Sequence, residues 1–228
     1  MKTIPLLNLF YLLIPLIIVG IYYYKWTDDR KDIALATFRM ILQLLLIGYL
    51  LIFIFEDKHP IVGTFIILFM TMISSQITIR NVQDRSIKHY SIIFISIFIS
   101  VIVHLFLIIN FVLDIQNFYE PRYIIPIAGM IFASTMNALS LNIERFEKEK
   151  SKTEFFDARK ISFKVAMIPQ INSLLAVGVV ALPGMMTGQI LSGIDPLIAV
   201  RYQIMIMSMT LSTAGISIIV YFLLKGKR

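Results

Sequence analysis

The sequence contains no cysteine, which excludes disulfide bonds, thiolate metal ligands and cysteine nucleophiles. Charged residues are scarce as well, because they make up 15% of the chain, whereas soluble domains carry about 25%. Hydrophobic residues, in contrast, make up 58% of the 228 residues. One helix needs about 20 apolar residues to cross a bilayer. The composition therefore predicts an integral membrane protein with short loops and no sizeable soluble domain.

Short motifs that mark common catalytic sites are also absent. The sequence has no G-x-x-x-x-G-K-[ST] phosphate loop, no H-E-x-x-H and no G-x-S-x-G. Its three histidines, His59, His89 and His104, are scattered in a way that suggests no metal site. All fourteen acidic residues fall in predicted loops or at the ends of apolar runs, so a proton relay within the membrane would depend on His104. We expect no enzyme activity, no catalytic residue and no cofactor bound by this chain.

Long apolar runs predict an all-α integral membrane protein of about seven transmembrane helices. Runs of this length exclude the strands of an outer-membrane barrel, which alternate over about ten residues. The predicted spans cover residues 4–24, 34–55, 61–79, 90–113, 123–143, 165–191 and 199–224.

The basic residues are distributed unequally between alternate loops, with sixteen on one side of the predicted membrane and four on the other. Cytoplasmic loops are enriched in Lys and Arg, so the N-terminus is predicted to lie outside and the C-terminus inside. The net charge of +7 is then explained by loops against an anionic lipid surface, and we expect no nucleic-acid partner. The richer side contains Lys25, Arg30, Lys31, Arg80, Arg85, Lys88, Arg145, Lys148, Lys150, Lys152, Arg159, Lys160, Lys164, Lys225, Lys227 and Arg228.

Small and amide residues enter the apolar background in the fifth predicted span. Gly129, Ala133, Ser134, Asn137 and Ser140 approximate one helical face, which is compatible with close packing of membrane helices. An amide at mid-span needs a partner or water, so Asn137 is a candidate for lining a cavity.

The sixth run contains glycine and proline residues that predict a broken helix, with breaks at Pro183, Gly184 and Gly188. Broken membrane helices in transporters often mark the substrate site. We therefore predict a translocation path bordered by Asn137, Asn172, Met185, Met186, Thr187 and Gln189. Two alternatives stay open, since G-x-x-x-G is a common packing signal and methionine is more often a core residue than a metal ligand.

The longest hydrophilic segment, residues 144–164, separates these two spans. Its sequence TEFFDARKISFK predicts a short cytoplasmic helix with an N-cap at Thr153. Phe155 and Phe156 would then be exposed aromatic residues. They would either dock a soluble partner or lie on lipid headgroups.

These residues resemble the FetB-type permeases of ATP-binding cassette (ABC) transporters, membrane subunits linked to iron export. The resemblance is strongest across residues 169–204, where LPGMMTGQILSG is a specific run, and it continues across AGMIFASTMNALSLNIERF at 128–146. A weaker match covers FRMILQLLLIGYLL at 38–51. The resemblance implies one transmembrane permease domain over residues 1–228 and a separate subunit that hydrolyses ATP with Mg²⁺.

The resemblance also implies a coupling loop through which the permease engages its ATPase. The coupling residues would be Glu154, Phe155, Phe156, Asp157, Ala158 and Arg159. The sequence departs from the family pattern here, because EKEKSK is rich in Lys and Glu and contains few small residues.

The predicted function is therefore that of a permease subunit in a bacterial plasma membrane that exports iron or a related metal ion. A homodimer bound to cytoplasmic ABC ATPase subunits is expected, and no residue of this chain is assigned to metal binding. An ion-gradient-driven carrier or channel is one alternative. An ABC permease for a nucleotide sugar is another, because plant relatives of this family have been linked to aluminium tolerance and nucleotide-sugar movement.

Overall fold

The computed structural model describes residues 4–27, 32–56, 59–80, 82–115 and 119–226. All regular secondary structure in these ranges is helical, apart from one isolated bridge between Val177 and Ala181. The chain divides into two compact units, Met1–Asp57 and Lys58–Arg228. The prediction of an all-α membrane protein is confirmed, and a single permease domain over residues 1–228 stays a prediction.

The first unit consists of two long apolar helices. The first begins as α1 (Leu6–Leu9), continues through a 3₁₀ turn at Phe10–Leu12 and extends as α2 (Leu13–Thr27). The second, α3, spans Asp32–Glu56. Each of the two is long and apolar enough to cross a membrane.

The second unit is a helical bundle. α4 spans Pro60–Arg80, α5 spans Ile87–Leu107 and ends in a π-helical turn at Ile108–Val112, and α6 spans Pro121–Lys150. α7 spans Phe155–Ala176, α8 spans Gly184–Leu191 and α9 spans Pro196–Lys225. The bundle has a core of apolar side chains from α5, α6 and α9, of which Ile93, Ile97, Ile131, Leu139 and Ile218 expose no surface.

Six helices of the described chain are long and apolar enough to cross a membrane, so the predicted count of seven is not confirmed. The difference lies in the sixth predicted run, 165–191, which forms α7 and α8 on either side of residues 177–183. Gly178 takes a positive φ of 81°, which an α-helix does not contain. The hydrophilic segment 144–164 also differs from the predicted loop, because α6 and α7 extend into it and only residues 151–154 connect them.

α6 and α9 run in the same direction across the bundle. The hydroxyl of Ser134 donates to the carbonyl of Thr210 at 2.7 Å, and the ring centroids of Phe146 and Phe222 are 5.1 Å apart, with the same offset of 76 residues in both pairs. The chain between these two helices must therefore return across the bundle. α7, residues 177–183 and α8 together make this return, as two short helices in place of one long helix.

One end of the second unit collects most of its basic residues. His89 at the start of α5 bonds Tyr221 near the end of α9 (2.9 Å), so these two helices are antiparallel. The backbone N–H of Gln83 donates to the Glu147 carboxylate (3.0 Å), which brings the turn between α4 and α5 to the end of α6. We call this the basic end, and its basic residues are Arg80, Arg85, Lys88, Arg145, Lys148, Lys150, Lys152, Arg159, Lys160 and Lys225.

At the opposite end, Gly63 on α4 is covered by the ring of Tyr119, a residue that is 8% exposed. A Cβ at position 63 would lie 2.0 Å from Cε2 of that ring, so alanine does not fit unless the buried ring moves. We expect Gly63→Ala to lower the free energy of unfolding by about 1–3 kcal/mol, the usual cost of overpacking. Thermal unfolding in detergent measures the change. Gly48→Ala on α3 is the control, because a Cβ there meets no atom of the described residues within 4 Å. Equal losses in both variants would contradict the prediction.

Candidate functional site

The interruption between α7 and α8 is a compact turn with its own hydrogen bonds. α7 continues through Pro169 and ends at Ala176. The carbonyl of Ala176 accepts from the backbone N–H groups of three residues of the turn, Val179, Val180 and Ala181. The N–H of Gly178 in turn donates to the carbonyl of Ala181 at 2.9 Å. The backbone N–H groups of residues 178–181 are thus satisfied locally, which irregular backbone in a membrane requires.

Of the three residues predicted to break the sixth span, two lie at the end of this turn and one does not. Pro183 is the N-cap of α8, and Gly184 is its first residue. Gly188 lies inside α8, and its carbonyl accepts from the N–H of Ser192 at 3.0 Å in the ordinary helical pattern. The predicted break at Gly188 is therefore wrong, because a single glycine inside a helix costs only about 1 kcal/mol relative to alanine. A Cβ on Gly184 or on Gly188 would meet no atom within 4 Å, so this G-x-x-x-G makes no close helix contact within the described chain.

The interruption lies partway along the length of the bundle, although Val179, Val180 and Leu182 are exposed at its surface. α7 runs antiparallel to α9, because Phe155 meets Phe222 and the Cε of Met167 lies 3.8 Å from the Cβ position of Gly215. Continuing α7 to its end at about 1.5 Å per residue brings it level with roughly residues 201–206 of α9. That level is roughly 8–15 Å from the start of α9, so the turn lies partway along this helix.

Five of the residues predicted to border the path lie on α7 and α8: Asn172, Met185, Met186, Thr187 and Gln189. The side chains of Asn172 and Met185 are exposed, and those of the other three are half-buried. The hydroxyl of Thr187 donates to the carbonyl of Pro183 at 3.1 Å and so secures the first turn of α8. The structure therefore gathers the α8 residues beside the interruption.

Asn137, the sixth predicted path residue, is exposed on α6 and lines a cleft of about 300 Å³ between α4 and α6. Its lining residues are the polar Asn137, Arg80, Ser140 and Glu144 and the apolar Ile77, Met136 and Leu141. It contains no residue of α7 or α8. The structure thus places Asn137 in a cleft separate from the interruption.

Two glutamine side chains on α8 and α9 each have a buried Oε1 atom. Gln203 on α9 is 5% exposed, and its Oε1 has no hydrogen-bond partner within the described chain. The buried Oε1 of Gln189 on α8 also has none there. α8 packs against α9 after a tight turn at 192–195, so both amides belong to this short hairpin. Gln203 is not among the predicted path residues, although it is a lone amide in an apolar run, the same signal that makes Asn137 a candidate.

The predicted coupling segment forms the first turns of α7. The N-cap is Glu154 rather than the predicted Thr153, and the Glu154 side chain makes no capping hydrogen bond. The hydroxyl of Thr153 donates to the carbonyl of Glu149 at 3.1 Å, which ties it to the last turn of α6 and makes it unavailable as a cap.

The six coupling residues are divided between core and surface. The exposed ones are Glu154, Phe156, Asp157 and Arg159. Ala158 exposes no surface, and Phe155 is half-buried with its ring centroid 5.5 Å from that of Phe146. Phe156 keeps 49% of its surface exposed, and the guanidinium carbon of Arg159 lies 5.1 Å from its ring centroid. Phe156 is therefore the phenylalanine that presents an apolar surface, whereas Phe155 fixes the helix to the bundle.

The turn between α4 and α5 is ordered by Asp84 and Ser86. The backbone N–H of Ser86 donates to the Asp84 carboxylate at 3.0 Å, and the Ser86 hydroxyl accepts from the N–H of His89 as the N-cap of α5. Hydrogen bonding of the Asp84 carboxylate by the backbone N–H of Ser86, and by its side chain, holds the pKa of the Asp84 carboxyl below its ordinary value. The turn is thus a fixed part of the basic end.

His104 is buried between α5 and α9. Its Nδ1 lies 2.7 Å from the carbonyl of Ser100, and its Nε2 lies 2.8 Å from the hydroxyl of Ser212. Nε2 therefore ties α5 to α9, whereas the Nδ1 hydrogen bond lies within α5 itself. Within the described residues, no group of three or more His, Asp or Glu side chains is placed to hold a metal ion.

Comparison with known proteins gives matches over most of the chain. The family described as "Uncharacterised protein family (UPF0014)" matches residues 6–156 and 149–228. The chain is 34% identical over 209 residues to "Probable iron export permease protein FetB" of Escherichia coli (strain K12), which covers 84% of this chain and 78% of the relative. It is 30% identical over 207 residues to "UPF0014 membrane protein YjkA" of Bacillus subtilis (84% and 81% covered). It is 26% identical over 223 residues to "Protein ALUMINUM SENSITIVE 3" of Arabidopsis thaliana (90% and 80% covered).

No solved structure matches the chain. The family match nevertheless spans both helical units, and the resemblance to FetB-type permeases that the sequence motifs indicate is confirmed by it and by the similarity to FetB itself. With several helices long enough to cross a membrane, the chain is a multi-pass membrane protein that belongs to the UPF0014 family.

Proposed function

We propose that this chain is the permease subunit of an ABC transporter that exports iron or a related metal ion. The supporting observation is its 34% identity, over 84% of its length, to a protein whose name assigns it to iron export. The sequence lacks a phosphate loop, so ATP and Mg²⁺ bind to a separate cytoplasmic ATPase subunit. Two copies of the permease pair with two copies of that subunit.

The α6–α7 hairpin is the docking element for the ATPase in this proposal. α6 has 30 residues, which gives a length of about 45 Å, whereas the hydrocarbon core of a bilayer is about 30 Å thick. The last turns of α6 are charged and lie at the basic end, so the hairpin projects from the membrane on that side. Phe156 and Arg159 then face the partner from the first turns of α7.

The cargo passes beside the interruption between α7 and α8. Half-helices that meet at membrane depth form cargo sites in many transporters. The amide oxygens of Gln189 and Gln203 are buried there without hydrogen-bond partners in the described chain, and the thioethers of Met185 and Met186 are soft donors on the same short helix. Neutral oxygen and sulfur atoms of this kind would bind a metal ion weakly enough to release it.

The proposed function is tested by isolating the tagged permease from its native membrane together with any bound ATPase subunit. The complex is reconstituted in proteoliposomes, and movement of radiolabelled Fe(II) is measured with and without ATP and Mg²⁺. We expect an ATPase subunit to co-purify and ATP to drive Fe(II) transport. Isolation of the permease without an ATPase would refute the proposal, and ATP-driven movement of a nucleotide sugar in place of Fe(II) would refute the metal cargo alone.

The two parts of the proposed path are tested separately by Asn137→Leu and Thr187→Val. Loss of a polar group that contacts the cargo removes about 1–3 kcal/mol of stabilisation, so each variant should transport Fe(II) roughly fivefold more slowly or worse. The variants should insert in the membrane in normal amounts. Asn110→Leu is the control, since Asn110 is exposed on the π-helical turn after α5 and its amide donates to the carbonyl of Phe106 at 2.8 Å. Normal transport by both test variants would place the path elsewhere.

A gradient-driven carrier is the second candidate function, and His104 is the observation that favours it. This buried imidazole lies within an apolar span, and intramembrane ionisable groups often carry protons. The carrier would move Fe(II) across vesicles without ATP when a pH gradient is imposed. His104→Leu would abolish that movement.

A further inference from the structure

A continuous set of contacts joins the first turn of α7 to α5 at the basic end. Phe155 meets Phe146 edge to face, with ring centroids 5.5 Å apart, and the ammonium group of Lys225 lies 5.1 Å from the Phe146 centroid. The same ammonium group donates to the hydroxyl of Tyr221 at 2.6 Å. That hydroxyl is 2.9 Å from Nε2 of His89. Four helices, α7, α6, α9 and α5, are therefore linked, and Phe155 also meets Phe222 on α9 directly, with ring centroids 6.2 Å apart.

The hydrogen bonds in this set have one consistent direction. Nδ1 of His89 lies 2.7 Å from the carbonyl of Asp84, and because a carbonyl only accepts, Nδ1 is the donor. In neutral His89, Nε2 then accepts the hydroxyl proton of Tyr221, and the hydroxyl oxygen accepts from Lys225. Tyr221 is thus the central member, since it donates to α5 and accepts from the last turn of its own helix.

Most of this set is buried, so the presence of polar groups in it needs an explanation. Phe146 and Tyr221 expose no surface, and His89 is 3% exposed. Well-packed apolar side chains would stabilise this region at least as well as buried polar groups do. A fully bonded polar network instead fixes the relative positions of the elements that it joins, so we look to positioning rather than stability for its role.

We propose that Tyr221 is a positioning residue for energy coupling, which transmits displacement of the α6–α7 hairpin to α5 and α9. This inference rests on the proposed function, in which an ATPase docks on the first turns of α7. α9 also packs against α8 and carries Gln203. A displacement that reaches α9 through Tyr221 therefore also acts on α8, and these two helices carry the glutamines of the candidate cargo site.

Tyr221→Phe tests this role, because it keeps the ring and removes the hydroxyl. The ATPase complex isolated with each permease variant is reconstituted, and the amount of Fe(II) moved per ATP hydrolysed is measured. We expect Tyr221→Phe to bind the ATPase and hydrolyse ATP, but to move on the order of 2- to 30-fold less Fe(II) per ATP. Lys225→Met, which keeps an apolar stem over Phe146, should lower the same ratio.

Tyr90→Phe is the matched control, since Tyr90 follows His89 on α5 and its hydroxyl donates only to the backbone carbonyl of Met72 at 3.3 Å. It should leave the ratio unchanged. An unchanged amount of Fe(II) moved per ATP in both Tyr221→Phe and Lys225→Met would overturn the inference. The same holds if transport and ATP hydrolysis fall together, because a purely structural role predicts that result. An equal loss in Tyr90→Phe would also overturn it. A wild-type permease that binds no ATPase would instead refute the proposed function, and this inference with it.

Discussion

Replacement of Phe156 with alanine is expected to weaken binding of the ATPase subunit by about 2 kcal/mol or more, a roughly 30-fold increase in Kd. Phe156 keeps 49% of its surface exposed, and the guanidinium group of Arg159 lies over its ring. Aromatic and Arg side chains carry much of the binding energy at protein interfaces. Fully buried Ala158 holds this turn of α7 against the bundle, so the pair is presented on a fixed helix. Titration of the detergent-solubilised permease with purified ATPase measures the change.

Two further variants distinguish loss of ATPase docking from loss of stability and from the removal of any exposed aromatic side chain. Phe155→Ala should destabilise the permease instead, because its ring packs edge-on against Phe146 and Phe222. A double replacement of Phe155 and Phe156 would mix the two effects. Phe111→Ala is the control for exposure, since Phe111 is 71% exposed on the π-helical turn after α5, away from the basic end. Wild-type affinity of Phe156→Ala in detergent would assign Phe156 to the lipid surface and contradict docking.

The helical class of the fold follows from local information in the sequence. Five of the seven predicted runs correspond to one long helix each, and the first corresponds to α1 and α2 joined by a 3₁₀ turn. These elements were predictable because apolar run length alone indicates a membrane helix. The sixth run was harder, since Pro169 leaves α7 intact whereas the turn before Pro183 ends it. A proline signals a change in hydrogen bonding without specifying whether the helix bends or stops.

The grouping of the candidate site residues depends on contacts between segments that are far apart in the chain. Such contacts leave no local pattern in the sequence. The approach of His89 to Tyr221 joins positions 132 residues apart. The division of Phe155 and Phe156 between core and surface depends on where α9 ends. Predicting either pair would require knowing the relative directions of α5, α6, α7 and α9. The proposed roles of Asn172, Met185, Met186, Thr187 and Gln189 in transport stay predictions.

The orientation of the chain in the membrane is also a prediction, and α6 is the helix best suited to test it. Its 30 residues give a length of about 45 Å, which exceeds the hydrocarbon core of about 30 Å, so we expect both of its ends to leave the bilayer. Arg122 is exposed in its first turn and Lys150 is its last residue. Sixteen basic residues lie on the side of Lys150 and four on the side of Arg122 in the predicted topology. The positive-inside rule therefore places Lys150 in the cytoplasm.

Single cysteines at the two ends of α6 should give opposite labelling results in intact cells. The native chain has no cysteine, so no background site needs to be removed. A membrane-impermeant maleimide should label Arg122→Cys from outside, and should label Lys150→Cys only after the membrane is permeabilised. Lys58, in the predicted external turn, lies outside the described residues, and Arg122 provides the external position in its place. Labelling of Lys150→Cys in intact cells would invert the topology and remove the α6–α7 hairpin from the side on which ATP is available.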